Sequence, residues 1–99
     1  MAVQPQAPFA GANALIYGAA KSIGRAVALE FARRGAKVAV ADIDEAAASD
    51  TAAAIAATGG EAIALVANVL SDESVRAAAD AAEAAFGAID IVMNNVGGM

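Results

Sequence analysis

The sequence predicts an α/β domain: a parallel sheet carrying helices on both faces. Four short apolar runs alternate with three helix-length stretches along the chain. The apolar runs are continuous rather than alternating, as expected of strands covered on both sides. Each helical stretch stops at glycine, at Gly35, at Gly59-Gly60 and at Gly87. Strands joined by crossover helices of this length run parallel.

Residues 1–11 read as a flexible leader, interrupted by Pro5, Pro8 and Gly11. The first strand is read over residues 12–16, and Gly18 follows it. Residues 22–34 form a helix with Ile23, Val27 and Phe31 four apart on one face. Arg33 and Arg34 close it, where positive charge suits the dipole. The second strand covers residues 37–41. Asp44 and Glu45 open an Ala-rich helix that runs to Thr58. A third strand spans Ala62–Val66. Ser71 or Asp72 caps a helix in which Val75, Ala79, Ala82 and Phe86 fall at spacings of 4, 3 and 4. The fourth strand is read over residues 89–93. One β-α-β-α-β-α-β unit results, with no linker and no second domain.

Composition narrows the function classes. The 99 residues hold no Cys, His or Trp and carry a net charge of −5. Without Cys or His there is no disulfide framework, no zinc or haem site and no His-based acid/base pair, and no metal is expected. The acidic balance argues against tracking nucleic-acid phosphates. No stretch offers the roughly 20 apolar residues of a membrane span, so a soluble cytoplasmic chain is expected. The 60% hydrophobic fraction overstates the core, because 32 residues are Ala and only 23 are Val, Ile, Leu or Phe. Such a composition favours helices packed closely rather than a large core.

Four signals sit at carboxyl ends of strands, where open α/β sheets bind ligands. The first turn reads Tyr17-Gly18-Ala19-Ala20-Lys21-Ser22-Ile23-Gly24. Glycine after a strand allows a tight turn, and the free N–H groups of the next helix form an anion site. Ser22 adds a hydroxyl donor, and Gly24 lets the helix approach the sheet. The second is Asp42, at a strand end and 18 residues after Gly24. A carboxylate there can accept from both hydroxyls of an adenosine ribose and repel a 2′-phosphate. In the third, Asn68-Val69, the amide suits an adenine edge or simply a turn, and Val69 could pack on the ring. The fourth, Asn94-Asn95-Val96-Gly97-Gly98, is either a ligand-lining backbone or a plain turn.

In this order and spacing, these residues resemble the amino-terminal half of the short-chain dehydrogenase/reductase family over residues 11–99. Gly18-x-x-x-Ser22-Ile23-Gly24 is similar to the family's Gly-x-x-x-Gly-Ile-Gly turn, and Ala41-Asp42-Ile43 to its strand-two acid. Asn68-Val69 stands where the family has Asp-Val, and Asn94-Asn95-Val96-Gly97 where it has Asn-Asn-Ala-Gly. The resemblance implies a Rossmann-type sheet of order 3-2-1-4, incomplete after the fourth strand, with residues 12–99 a partial NAD(P)-binding domain. Gly18, Ser22, Ile23 and Gly24 would face the pyrophosphate and its ribose. Asp42 and Ile43 would hold the adenosine ribose and flank adenine, and Asn68 and Val69 would hold adenine. Asn95, Val96 and Gly97 would line the nicotinamide side, while Asn94 would serve the sheet. Asp42 favours NAD over NADP; Lys21 is the one basic residue placed to argue the other way.

Three departures stand out: Tyr17 replaces a Thr, Ser22 the middle Gly, and Asn68 an Asp. The family's chemistry is hydride transfer between nicotinamide and an alcohol or carbonyl substrate. It runs on a Ser and a Tyr-x-x-x-Lys that lie after the fourth strand. Tyr17-x-x-x-Lys21 matches that pattern literally but falls in the phosphate turn, on the wrong side of the crevice. No catalytic residue is therefore assigned, and the 99 residues alone are expected to be an inactive fragment whose parent forms homo-oligomers. A non-catalytic dinucleotide-binding module and a degenerate structural remnant are the alternatives. In either case the fourth strand would form an apolar sheet edge.

Overall fold

The computed structural model describes residues 8–95. Among them the elements are β1 (Asn13–Tyr17), α1 (Ser22–Arg33), β2 (Lys37–Asp42), α2 (Glu45–Ala57), β3 (Ala62–Val66), α3 (Asp72–Phe86) and β4 (Ile91–Asn94). All strand pairs are parallel, in the order β3-β2-β1-β4. The order reverses at β1, so the chain opens a crevice between the carboxyl ends of β1 and β4.

Alternation along the strands divides the core into two layers. Ile16, Val38 and Val40 pack with Ala28 and Ala32 of α1 and with Ala48 and Ile55 of α2. Leu15, Tyr17, Ala39 and Ala41 point the other way, onto Ala78 and Ala82 of α3. Wherever a helix meets the sheet, Ala makes much of the contact. The Ala excess thus brings helix axes near the strands, while the bulk is supplied by Leu15, Ile16, Val38, Val40 and Ile55, all fully buried.

Three strands differ from the sequence reading: β2 runs one residue further, because Asp42 pairs with Val66 of β3, and β1 and β4 are shifted by contacts at their ends. Ala12 is outside β1 because its N–H donates to the Phe9 carbonyl in a turn (2.9 Å), whereas Tyr17 pairs with both Ala41 and Asn94. β4 starts at Ile91 rather than at residue 89. The Asp90 N–H donates to the Asn13 carbonyl (2.9 Å), and its carboxylate accepts the Asn13 N–H (2.8 Å). Ile89 is drawn into the α3-side core. The Asn13 side chain completes this junction by donating to the carbonyls of Phe86 (3.0 Å) and Ala88 (2.9 Å). One amide thereby ties the end of α3 to the start of β1.

Residues 8–11, within the stretch read as a leader, form a turn. The Phe9 N–H donates to the Arg34 carbonyl (2.8 Å), and its ring lies 5.2 Å from that of Phe31. Among the described residues β4 pairs with β1 alone, and Val92 at this edge is 64% exposed. No helix of the described residues is long and apolar enough to cross a membrane.

Helices α2 and α3 cap themselves. Asp44 Oδ1 accepts the Ala47 N–H (3.1 Å), and Ser71 Oγ accepts the Ser74 N–H (3.2 Å). The cap bond to Ala47, and then Lys21 Nζ at 3.0 Å, hold the Asp44 carboxyl below its usual range.

Two outcomes follow from these contacts. Replacing Asn13 with Ala orphans two carbonyls and should lower the unfolding free energy by about 1–2 kcal/mol in a denaturant titration. Because the folded-state pKa of Asp44 lies below its unfolded value, its contribution is complete above about pH 4 and lost as pH falls through the lowered pKa. Asp44→Asn should therefore flatten the acid limb of a stability-versus-pH curve. An unchanged slope would contradict the cap.

Candidate functional site

The site begins where β1 ends. Gly18 turns the chain with φ of 74°, and the N–H groups of Gly18 and Ala19 both donate to the Ala41 carbonyl (2.8 and 3.3 Å). This ties the turn to the end of β2. α1 starts four residues later, and Gly24 lies in its first turn. A Cβ on Gly24 would collide with the Gly18 carbonyl oxygen and lie 2.9 Å from Asn95 Nδ2. Glycine is therefore required at position 24 for β1, α1 and the end of β4 to meet. Ser22 keeps a left-handed backbone, φ 55°, and is the only non-glycine among the described residues to do so. For an L-residue this costs roughly 1–2 kcal/mol.

The amino terminus of α1 differs from those of the other two helices. Its N-cap, Lys21, makes no side-chain cap bond, and its first turn contains no acid. α2 and α3 have both a side-chain cap and acidic residues there. The first N–H groups of a helix lack intrahelical partners, and the dipole adds partial positive charge. At α1 neither a side-chain cap nor a first-turn acid meets these groups.

Asp42 closes the other side of the turn. It is half-buried at the end of β2, and its Oδ2 accepts the Ala20 N–H (3.3 Å) while Oδ1 accepts the Asp44 N–H (3.0 Å). A carboxylate has about four acceptor positions, so two bonds fix its orientation and leave capacity for a diol. Lys21, the basic residue of the turn, is paired with Asp44.

Four of the five large apolar side chains that are most exposed among the described residues, Ile23, Ile43, Val66 and Leu70, lie at or just beyond the carboxyl ends of β1, β2 and β3. Asn68 takes the turn-forming part: its Oδ1 accepts the Leu70 N–H (3.0 Å), and its own N–H donates to Ser74 Oγ (2.8 Å). Val69 is half-buried against the α3-side core. Asn95 donates its N–H to the Tyr17 carbonyl (2.9 Å) beside Gly24. Asn94 ends β4 opposite Tyr17. Val96 and Gly97 lie outside the described residues.

Tyr17 and Lys21 do not form a pair. The Tyr17 hydroxyl donates to the Val75 carbonyl (2.8 Å), and burial pushes its pKa above the usual range. Tyr17 fastens α3 to the sheet and remains neutral at physiological pH.

One buried residue behind the turn, Thr51, escapes motif reading. Thr51 is fully buried in α2; its Oγ1 donates to the Ala20 carbonyl (3.0 Å) and accepts from Arg25 Nη1 (2.9 Å). The signal available in the sequence was helical periodicity, since Ala48, Thr51 and Ile55 form the buried stripe of α2. A cleft bordered by Gly35, Lys37, Gly60 and Glu61 opens at the amino ends of β2 and β3, away from these groups. Among the described residues no cluster of three or more Asp, Glu, His or Cys is placed to hold a metal.

Comparison with known proteins gives a consistent result. The family profile described as enoyl-(acyl carrier protein) reductase matches residues 18–99. A probable oxidoreductase, EphD of Mycobacterium tuberculosis, is 46% identical over 94 residues, covering 95% of this chain and 16% of that protein. The 7alpha-hydroxysteroid dehydrogenase of Escherichia coli is 40% identical over 88 residues, covering 89% of this chain and 34% of the enzyme. The crystal structure of a hydroxysteroid dehydrogenase from Escherichia coli superposes with a TM-score of 0.91 at 37% identity, across 95% of this chain and 40% of that one. The chain thus spans between a sixth and two fifths of the length of these relatives. With its glycine turn, sheet order and strand-end acid in place, the chain belongs to the short-chain dehydrogenase/reductase family of oxidoreductases.

Proposed function

We propose that these residues are the cofactor-binding portion of an NAD-dependent dehydrogenase that acts on a small alcohol or its carbonyl counterpart. One observation carries the reading: α1 starts without a side-chain cap, and in the turn just before it the Ala20 N–H donates to Asp42, which brings the strand-end acid to the same turn. A dinucleotide needs an anion site and a diol acceptor side by side, and few other ligands need both.

The residues suit that group. The Gly18 turn, Ser22, Ile23 and Gly24 would receive the pyrophosphate and adjoining ribose. Asp42 would accept the adenosine hydroxyls. Ile43 would flank adenine, with Asn68 and Val69 on its other side. With Asn68 Oδ1 engaged by Leu70, its amide nitrogen is the donor it offers to a base. Asn95, with Val96 and Gly97 beyond it, would border the nicotinamide. When bound, the nicotinamide accepts or returns the hydride. The chain's contribution is to hold and orient it, with acid/base chemistry assigned to the longer protein. Relatives named for hydroxysteroid, D-threitol and cyclohexanol dehydrogenation share an alcohol substrate, and that class alone is carried over. An NAD-using enzyme of this kind is proposed to work in the cytoplasm, where its cofactor is.

NAD is favoured over NADP on electrostatic grounds. A 2′-phosphate would meet the Asp42 carboxylate, which two backbone N–H groups hold in place. Lys21, the cation that could offset this, is engaged by Asp44 at 3.0 Å.

Calorimetric titration of the purified chain with NAD and NADP tests the proposal. Hydrogen bonds to a charged group contribute about 1.5–3 kcal/mol. Asp42→Ala should therefore weaken NAD binding by about ten- to a hundredfold and NADP binding much less. Equal loss of both would refute the ribose role. No saturable heat at millimolar NAD would refute the cofactor reading.

A further inference from the structure

We propose that Thr51 is a positioning residue for the cofactor site: its hydroxyl sets the conformation of the phosphate turn at Ala20 and, through it, the orientation of Asp42. This rests on the cofactor role proposed for that turn.

The hydroxyl has an unusual use. A Thr inside a helix ordinarily bonds back to a carbonyl of its own preceding turn. Thr51 instead donates across to the Ala20 carbonyl at 3.0 Å and accepts from Arg25 Nη1 at 2.9 Å. It is also the one buried polar residue among the described residues. Packing alone does not call for it. α2 is otherwise Ala-rich, and Ala or Val at this position would bury the same stripe without placing a hydroxyl in the core.

Its position makes it the centre of a chain of bonds. Arg25 of α1 donates to Thr51 of α2, and Thr51 donates to the carbonyl of Ala20. The N–H of the same Ala20 donates to Asp42 Oδ2 at 3.3 Å. Both peptide groups flanking the Ala20 α-carbon are therefore pinned, one by a hydroxyl and one by a carboxylate. In a trans peptide the C=O and N–H point in opposite directions. Holding the Ala20 carbonyl toward α2 turns the Lys21 N–H away from α2, at the open start of α1. The same clamp gives Asp42 one of its two orienting bonds. The pyrophosphate turn and the ribose acid thus share a single support, which lies outside both.

Loss of the hydroxyl should reduce both NAD affinity and the preference for NAD over NADP, because Asp42 is freed along with the turn. The test compares Thr51→Val, Thr51→Ala and Thr51→Ser in the full chain. Calorimetric Kd values for NAD and NADP are read beside the amide exchange rate of Ala20. Thr51→Val should weaken NAD about tenfold, lower the NAD-to-NADP affinity ratio and speed exchange at Ala20. Thr51→Ser should restore all three. Thr51→Ala, in a helix where Ala is the commonest residue, carries the comparison if the Val variant does not fold. Folded Val and Ala variants that keep the wild-type affinity ratio would overturn the proposal, as would a Ser variant that rescues nothing. If the wild-type chain binds neither dinucleotide, the cofactor reading falls. Unchanged Ala20 exchange in the Val or Ala variant would show separately that the hydroxyl does not hold the turn.

Discussion

The site depends on the absence of a side chain at Gly24. Any Cβ there would overlap the Gly18 carbonyl and press on Asn95, so α1 could not start where it does. The cost would extend beyond a helix shift. Gly18 is bonded to β2 through the Ala41 carbonyl, and Asn95 to β1 through the Tyr17 carbonyl. Pushing α1 outward would strain the points where three strands are held together. Close approach also sets the amino terminus of α1 beside the ends of β1 and β4, and the proposed anion site depends on that placement.

Around this contact the chain satisfies its polar groups unevenly. α2 and α3 spend side chains on their own amino termini, Asp44 and Ser71, and α1 does not. The Ala20 peptides, by contrast, are held on both sides, by Asp42 and by Thr51. The left-handed Ser22 is maintained in the same segment at an energetic cost. In the proposed role, a turn held on both sides in this way would need little further ordering when a ligand binds.

How much of this was legible in the sequence depends on the range of the interaction. Helix limits set by local chemistry read well: Asp44, Ser71 and Gly87 cap or end their helices much as their residue types suggest. The β4 boundary did not, because Asp90 leaves the strand to bond Asn13, 77 residues away in the chain. Asp42 was visible from its strand-end position, but its bond to Ala20 was not. Thr51 has no such signal, because a single Thr in an Ala-rich helix resembles filler until the fold brings Ala20 to it. The Tyr17-x-x-x-Lys21 spacing shows the reverse error that pattern matching invites: the two side chains go to Val75 and Asp44. The alternative turn-forming reading of Asn68 describes what its side chain does here.

The most direct test of the account is to map amide chemical-shift changes as NAD is added to the isotopically labelled chain. Saturable shifts should concentrate at residues 18–24, at Asp42 and Ile43, at Asn68 and at Asn95. The amino ends of the strands, near Gly35 and Gly60, should remain silent. Shifts centred on that opposite end, or none that saturate, would contradict the claim that the Gly24 contact builds a dinucleotide site.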